Sequence, residues 1–331
     1  MQGQTPAGPS ATYTEHLKHE DFSATHEASK GKERLSFILV ADGHGGSQTA
    51  SYLQRSLLCR VEELAADGSA KALHDACVTA FAEAHEAVKL IDISDTTQPW
   101  YRYKAHDPQI AGARNLSGAT LTVVIFNHMR RELTCANVGD SQAALVHESG
   151  FKELTVSHRL ADNIQEQARL EESGVKLGRA LDSEGWPGGP LRAWPGGLAV
   201  TRGIGDADCE GIVSCVPSVV TFAAPEGGGV VVAASDGVWD SLRITEAVKL
   251  VQSSKVHACR ALGSLAAALE RLAARLWIFG RTAWLVLHPQ CASWHLRLPR
   301  AAAADWPPID PSRLSSSALQ KTYAPASWPR R

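Results

Sequence analysis

The sequence predicts an α+β protein whose strands pair mainly in antiparallel sheets. Three observations support this prediction: helical spacing of apolar residues over 47–90, a series of short strands over 118–156, and two further strands over 218–235. The strands of the middle series are joined by short connections. Such connections favour antiparallel neighbours, because parallel neighbours need a long crossover.

The N-terminal part begins with a predicted buried strand followed by two helices. LSFILVA (35–41) is a short apolar run of the kind that is typical of a buried strand. Apolar residues recur with helical spacing over 47–66, and a second helix is expected over 69–90. Between them Asp67-Gly68 is a break.

The central and C-terminal parts alternate strands with helices and one long loop. Strands are predicted at 118–127, which is rich in β-branched residues, and at 132–140, 141–148, 151–156, 218–224 and 229–235. A helix is expected over 162–174, with Asp162 as its N-cap and Gly174 at its end. Because residues 175–197 are rich in glycine and proline, we predict a long irregular loop there. Two more helices are expected at ITEAVKLV (244–251) and over 258–276.

Composition bounds the function classes. A net charge of −2 over 331 residues gives no electrostatic reason to expect a nucleic-acid or membrane partner. Seven cysteines without a CxxC pair favour a reducing compartment over a disulfide scaffold. No stretch of about 18 uninterrupted apolar residues is present, and the first residues lack a signal-peptide core. We therefore expect a cytoplasmic or nuclear monomer.

The chain divides into three predicted parts. Residues 1–14 are expected to be a flexible lead, 15–288 one folded domain, and 289–331 a poorly ordered tail. After Glu270 the acids become rare and five of the nine tryptophans occur. We interpret this change of composition as an altered reading frame, a retained intron or a divergent splice product.

Three predicted strands end at an aspartate beside a glycine. The three aspartates are Asp42, Asp140 and Asp236. A carboxylate at a buried strand end is costly unless a positive charge compensates it, and Mg²⁺ or Mn²⁺ prefers such oxygen ligands. A single Asp-Gly pair is usually only a turn. Three of them in one chain favour a metal site but leave the turn interpretation open.

Two nearby segments could contribute to such a site. Glu20 and Asp21 precede the first predicted strand, and alone they would be a solvated loop. His44 is either an exposed polar residue in a glycine-rich turn or a general acid near the metals, because the pKa of histidine lies near neutrality. No zinc-ligand spacing, phosphate-binding P-loop or GxSxG motif occurs in the sequence.

The ordered motifs resemble the metal-dependent protein phosphatase family, protein phosphatase 2C. DGHGG, GAT, ANVGDSQA, LAVTRGIGD and ASDGVWD occur here in the order of that family's DGHGG, GST, NVGDSR, LAVSRAFGD and SDGLWD. HRLADNIQEQARLEESG (158–174) resembles the segment between two of them. The resemblance covers about residues 15–255, and the ordered set is highly specific.

The resemblance implies a four-layer α-β-β-α sandwich, with two mainly antiparallel sheets flanked by helix pairs. It also implies a centre of two Mg²⁺ or Mn²⁺ ions at one end of the sandwich. Asp42 would bridge the ions, with Gly43 binding through its carbonyl, Asp21 and Asp236 binding directly, and Glu20 holding a metal-bound water. Asp140 and Asp240 would help a third, weaker ion.

The implied reaction is hydrolysis of phosphoserine or phosphothreonine in proteins, a step in signalling. A water activated between the ions at Asp42 would attack phosphorus, and His44 would protonate the leaving alkoxide. The alternative is a catalytically weak or inactive phosphatase-like protein that binds phosphoproteins or regulators. A scaffold without metal is the third class.

The sequence departs from the family pattern in three places, and the absent arginine and the absent last ligand favour the alternative. The phosphate-binding arginine of the family is His16 here, and no arginine precedes Arg34. Ser157 replaces an aspartate before His158. The family's last metal-binding aspartate has no counterpart, although TAWLVLHP (282–289) could form the strand that should carry it.

Overall fold

The computed structural model describes residues 10–13, 20–91, 115–147, 149–240, 242–255 and 283–287. All of these residues belong to one compact unit. The predictions for residues 1–9, for the helix over 258–276 and for the tail over 289–331 lie outside the described residues.

The first sheet contains five strands with antiparallel neighbours. In spatial order they are β13 (Ser218–Ala223), β7 (Glu132–Val138), β6 (Leu121–Asn127), β3 (Glu33–Ala41) and β2 (Phe22–Lys30). Four of these strands were predicted. Strand β2 was missed, and its pairing of Phe22 with Ala41 sets the residues before β2 beside the end of β3.

The second sheet also has five antiparallel strands. In spatial order they are β1 (Ser10–Tyr13), β15 (Ala283–Leu287), β14 (Val230–Ala234), β8 (Gln142–His147) and β9 (Gly150–Glu153). The expectation of a flexible lead was wrong for residues 10–13, because they pair with β15. The expectation that 282–289 would supply a strand is confirmed by β15, which pairs with β14.

Two smaller sheets complete the strand set. One joins β4 (Gly43–His44), β5 (Gly118–Ala119) and β12 (Ile204–Gly205), and the other is a hairpin of β10 (Lys176–Leu181) and β11 (Pro187–Trp194). The irregular loop predicted over 175–197 was therefore wrong. Backbone pairing builds the hairpin even though its sequence is rich in glycine.

Five helices are described. They are α1 (Gln48–Leu64), α2 (Ala70–Lys89), α3 (Ile164–Glu172), α4 (Asp236–Trp239) and α5 (Ile244–Lys255). The N-cap of α3 is Asn163, whose side chain accepts a hydrogen bond from the Glu166 amide at 3.1 Å, so the prediction of Asp162 was one residue early. No helix in the described part of the chain has the length and apolarity needed to cross a membrane.

Alternating side chains divide the core into layers. Leu35, Phe37 and Leu39 of β3 face the helix pair α1 and α2, where they pack with residues such as Leu53 and Phe81. The opposite face of the same sheet packs on the second sheet in a cluster that includes β3, β6, β8 and β14. Helix α5 covers the outer face of the second sheet. The predicted α-β-β-α layering is thus confirmed.

Candidate metal centre

Carboxylates from three separate segments meet at one end of the sandwich. Asp21 lies just before β2, Asp42 just after β3, and Asp236 at the start of α4 after β14. The carboxyl groups of Asp21 and Asp236 are within hydrogen-bonding reach of Asp42. The convergence on which the sequence prediction depended is therefore present in the fold.

The electrostatics of Asp42 show why this cluster favours a cation. Burial, followed by the negative charges of Asp21 and Asp236, raises the pKa of Asp42 well above its usual value. A divalent cation would remove both the desolvation cost and the repulsion. Among the described residues no group of three or more His, Cys, Asp or Glu side chains has the close spacing of a complete metal site. Mg²⁺ commonly keeps several water ligands, so an open acid cluster suits it.

The backbone around Gly43 fits tightly against Glu20. The Gly43 amide donates to the Glu20 carbonyl at 3.2 Å, and the Gly46 amide donates to Glu20 Oε1 at 2.8 Å. A Cβ at position 43 would lie 2.5 Å from the Glu20 carbonyl oxygen. Only glycine fits there, and this packing fixes Glu20 beside the loop that carries Asp42.

His44 is held by a buried carboxylate that the sequence analysis did not assign. His44 Nε2 lies 2.6 Å from Asp206 Oδ1, and the Asp206 side chain is only 3% exposed. Burial is the largest influence and lowers the pKa of His44, but the hydrogen bond to Asp206 together with the negative charges of Asp206, Glu20 and Asp140 raises the net pKa above its usual value. Asp206 has a positive φ of 53°. Its Oδ2 has no hydrogen-bond partner within the described part of the chain.

The acids expected to help a third ion surround an arginine. Arg159 contacts Asp140 at 3.5 Å, Asp236 at 3.4 Å and Asp240 at 2.6 Å. Burial is the largest influence on Asp140 and, with the charge of Asp236, raises its pKa to about 6, although Arg159 opposes the change. The structure therefore brings Asp140 and Asp240 to the centre, but with a protein cation already between them.

The family-specific departures can be located in part. Residue 16 lies outside the described residues. The sequence of β15, AWLVL, contains no acid, and none occurs between Glu270 and Asp305. Ser157 accepts a hydrogen bond from the Arg159 amide at 3.3 Å. Within the described ranges the donor set is thus one carboxylate short of the expected set.

Arg159 and Asp206 are the two site residues that sequence reasoning missed. Both lie inside segments that were already recognised, Arg159 directly after His158 and Asp206 at the end of LAVTRGIGD. A search for positive charges to balance the clustered acids would have pointed to Arg159. Nothing in the sequence pattern marks Asp206 as a partner of His44, 162 positions away.

A protein-family model and several curated relatives match most of this chain. The family model "Protein phosphatase 2C" matches residues 10–276, which extends beyond the end near residue 255 that the motifs indicated. "Probable protein phosphatase 2C 5" of Arabidopsis thaliana is 33% identical over 236 residues, covering 70% of this chain and 48% of that protein. The chain spans about half the length of the curated relatives it matches.

Solved structures show the same fold. A C. elegans sex determining protein aligns with a TM-score of 0.64 and 20% identity, covering 86% of this chain and 65% of the other. Serine-threonine phosphatase 2C from Toxoplasma gondii aligns with a TM-score of 0.56 and 17% identity, covering 85% and 99%. At these identities the likeness speaks for the fold alone.

Proposed function

Because this chain belongs to the protein phosphatase 2C family, we propose that it hydrolyses phosphoserine and phosphothreonine esters in proteins with the help of two Mg²⁺ or Mn²⁺ ions. The single observation that supports this most is the meeting of Asp21, Asp42 and Asp236 at the end of the sandwich. Burial and mutual repulsion of these acids favour a bound cation at this point.

The residues around Asp42 suit a pair of hard cations. In the proposal the carboxylates of Asp42, Asp21 and Asp236 would hold the ions, and the Gly43 carbonyl would supply a further oxygen. Glu20, fixed by its bond to the Gly46 amide, would accept a hydrogen bond from a water at the centre. When bound, the ions supply Lewis acidity, which lowers the pKa of water and neutralises phosphoryl oxygens.

In the proposal His44 acts as a general acid that donates a proton to the departing serine or threonine oxygen. Its Nε2 is engaged by Asp206 at 2.6 Å, while the ring remains 34% exposed. Asp206 therefore orients the imidazole and favours its protonated form, which is the form that a general acid needs. Asp206 acts through His44 and is a positioning residue.

Hydrolysis of a phosphothreonine peptide with and without Mn²⁺ tests the proposal. We expect Mn²⁺-dependent release of phosphate by the wild type and none by Asp42→Ala. Asp75→Ala is a matched control, because Asp75 is an exposed acid paired with Lys71 on α2. Equal activity of the wild type and Asp42→Ala would overturn the proposal.

The absent donors support a second candidate, a phosphatase-like protein that binds phosphoproteins with little turnover. Without an acid at β15 the centre has fewer ligands, and without an arginine before Arg34 the phosphate lacks that bidentate partner. Calorimetry with the same phosphopeptide separates the two candidates. Saturable binding without phosphate release supports the second one.

The remaining expectations stay predictions. A monomer without nucleic-acid or membrane partners, in the cytoplasm or nucleus, is what composition favours. Sedimentation of the purified chain and imaging of a tagged chain would check them.

A further inference from the structure

Arg159 lies at the outer side of the acid cluster and contacts three of its members. Two guanidinium nitrogens form a bidentate pair with Asp240, at 2.6 Å and 3.1 Å. Nη2 also reaches Asp236 at 3.4 Å, and Nε lies 3.5 Å from Asp140. The Arg159 side chain thus links Asp140 and Asp240, the acids expected to help a third ion, with Asp236, an acid expected to bind the two main ions.

The backbone on either side of Arg159 is firmly held. The adjacent residues His158 and Leu160 are 1% and 0% exposed. The His158 amide donates to the Gly139 carbonyl at 2.9 Å, and the Leu160 amide donates to the Ala199 carbonyl at 2.8 Å. The guanidinium is therefore presented from a rigid support and not from a mobile loop.

Burial makes the contact with Asp140 the significant one, since the side chains of Asp236 and Asp240 are 35% and 41% exposed. The Asp140 side chain is 8% exposed and that of Arg159 26%. Covered carboxylates are stable only when they are paired, and the planar guanidinium is suited to serving several carboxylates at once. An arginine is also permanently charged, whereas the occupancy of a divalent-ion site depends on the concentration of the ion.

We propose that Arg159 is a built-in counter-cation for Asp140, Asp236 and Asp240. It keeps the outer acids of the centre together when no ion is bound, and it opposes the binding of a third divalent ion there. The inference rests on the proposed function only in taking the Asp42 cluster as the metal centre. In this inference the Arg159 guanidinium supplies the positive charge that, by the family resemblance, a third ion would supply.

The size of the opposition follows from Coulomb's law. An ion that shares Asp236 and Asp240 with Arg159 would lie roughly 5 Å from the guanidinium. Even in bulk water a unit charge at that distance weakens the binding of a divalent ion by about tenfold or more.

The experiment compares Mn²⁺ binding and thermal midpoint of the full chain for the wild type, Arg159→Gln and Arg60→Gln. Arg60 is the matched control, because it forms a bidentate pair with Glu83 on the exposed surface at 2.7 Å and 3.0 Å. Equilibrium dialysis and calorimetry count the bound ions and measure their dissociation constants. Thermal scans are run once in EDTA and once in saturating Mn²⁺.

For Arg159→Gln we expect one additional Mn²⁺ per chain, or a weakest site that binds about tenfold more tightly. In EDTA its midpoint should fall by roughly 3 °C or more, and saturating Mn²⁺ should restore most of that loss. A variant that is unfolded in EDTA but folded in Mn²⁺ has the same meaning. Arg60→Gln should match the wild type in ion count and in dissociation constants.

Two results would overturn the inference. The first is an Mn²⁺ titration of Arg159→Gln that superimposes on that of the wild type. The second is a loss of thermal midpoint that is equal in EDTA and in Mn²⁺; a variant that is unfolded in both buffers counts as this second result. If the wild type binds Mn²⁺ and Asp42→Ala does not, either result contradicts this inference but leaves the proposed function standing. If the wild type binds no Mn²⁺ at all, the proposed function fails with it.

Discussion

Gly118→Ala should disable His44 without touching it. A Cβ at position 118 would lie 2.2 to 2.3 Å from the three carboxyl atoms of Asp206. Contacts that short cannot persist, and Asp206 is too enclosed, at 3% exposure, to yield in place. The new methyl group must push the carboxylate away from the imidazole that it holds.

Two quantities follow from that displacement. Overpacking of a buried site costs about 1–3 kcal/mol. This corresponds to a midpoint decrease of roughly 3–10 °C for a domain of this size. General acids contribute about 10²–10⁴-fold to rates, and we expect about a hundredfold loss of kcat on a phosphothreonine peptide when His44 is no longer oriented.

The assay compares two substrates in the same Mn²⁺ buffer. An alkoxide needs a proton to leave, whereas nitrophenolate leaves readily without one. The loss should therefore be much larger on the phosphothreonine peptide than on p-nitrophenyl phosphate. Gly227→Ala is the control, because a Cβ there meets no atom within 4 Å and position 227 has an ordinary φ. An equal loss on both substrates, or none, would refute the role given to Asp206 and His44.

Three further predictions concern charge and stability. Asp42→Asn should abolish Mn²⁺-dependent hydrolysis yet raise the thermal midpoint in EDTA. The reason is that burial and the charges of Asp21 and Asp236 disfavour the ionised form of Asp42. A lower midpoint of the variant in calorimetry would contradict this. Burial and the charge of Arg202 lower the pKa of His158 from 6.5 to about 4, so the unfolded chain binds a proton that the folded chain refuses. Stability is then fully present above pH 6.5 and falls by up to about 3 kcal/mol toward pH 4, and urea titrations of His158→Gln should lack that part of the slope. Glu166→Gln leaves Arg169 and Arg202 without their buried partner, at 2.9 Å and 2.6 Å in the wild type. It should cost about 3–5 kcal/mol in the same titrations, and a change below about 1 kcal/mol contradicts the importance of this triad.

Among the strands that the sequence predicted, β3 and β6 are marked most clearly by buried apolar residues. Six of the nine residues of β3 are buried, and every residue of β6 is buried, so their composition alone marks them. Strand β2, FSATHEASK, has only one buried residue of nine and carries polar groups along the edge of its sheet. An edge strand of this kind depends on its partner β3 and not on its own apolar pattern.

The hairpin of β10 and β11 failed prediction for a related reason. Of the residues in its two strands only Ala193 is buried, and Leu181 and Trp186 of the hairpin are 67% and 68% exposed. Glycine and proline in the segment are typical of loops, yet the two strands pair over six positions, with a shift between Arg179 and Ala180. Register between two backbones is a property of the pair, and neither strand's sequence reveals it.

The site was predictable where a motif carries its own chemistry and not where the chemistry arises between distant segments. Asp42, Gly43 and His44 stand in one motif, so a reader of the sequence finds them together. The pairing of His44 with Asp206 joins residues 162 positions apart. It depends on β4 and β12 flanking the same short strand, β5.

The balance of charge at the centre ties these observations together. Strand β15 takes the place beside β14, with Ala283 opposite Ala234, but its segment brings no carboxylate toward Asp236. Arg159 adds a positive charge to the same acids. The missing carboxylate makes the centre less negative than the family resemblance implies, and Arg159 offsets part of the negative charge that remains, so divalent ions should bind it more weakly. Asp→Asn changes at the centre should weaken Mn²⁺ binding further, whereas Arg159→Gln should strengthen it. An electrostatic account requires that the two kinds of variant change the Mn²⁺ affinity in opposite directions.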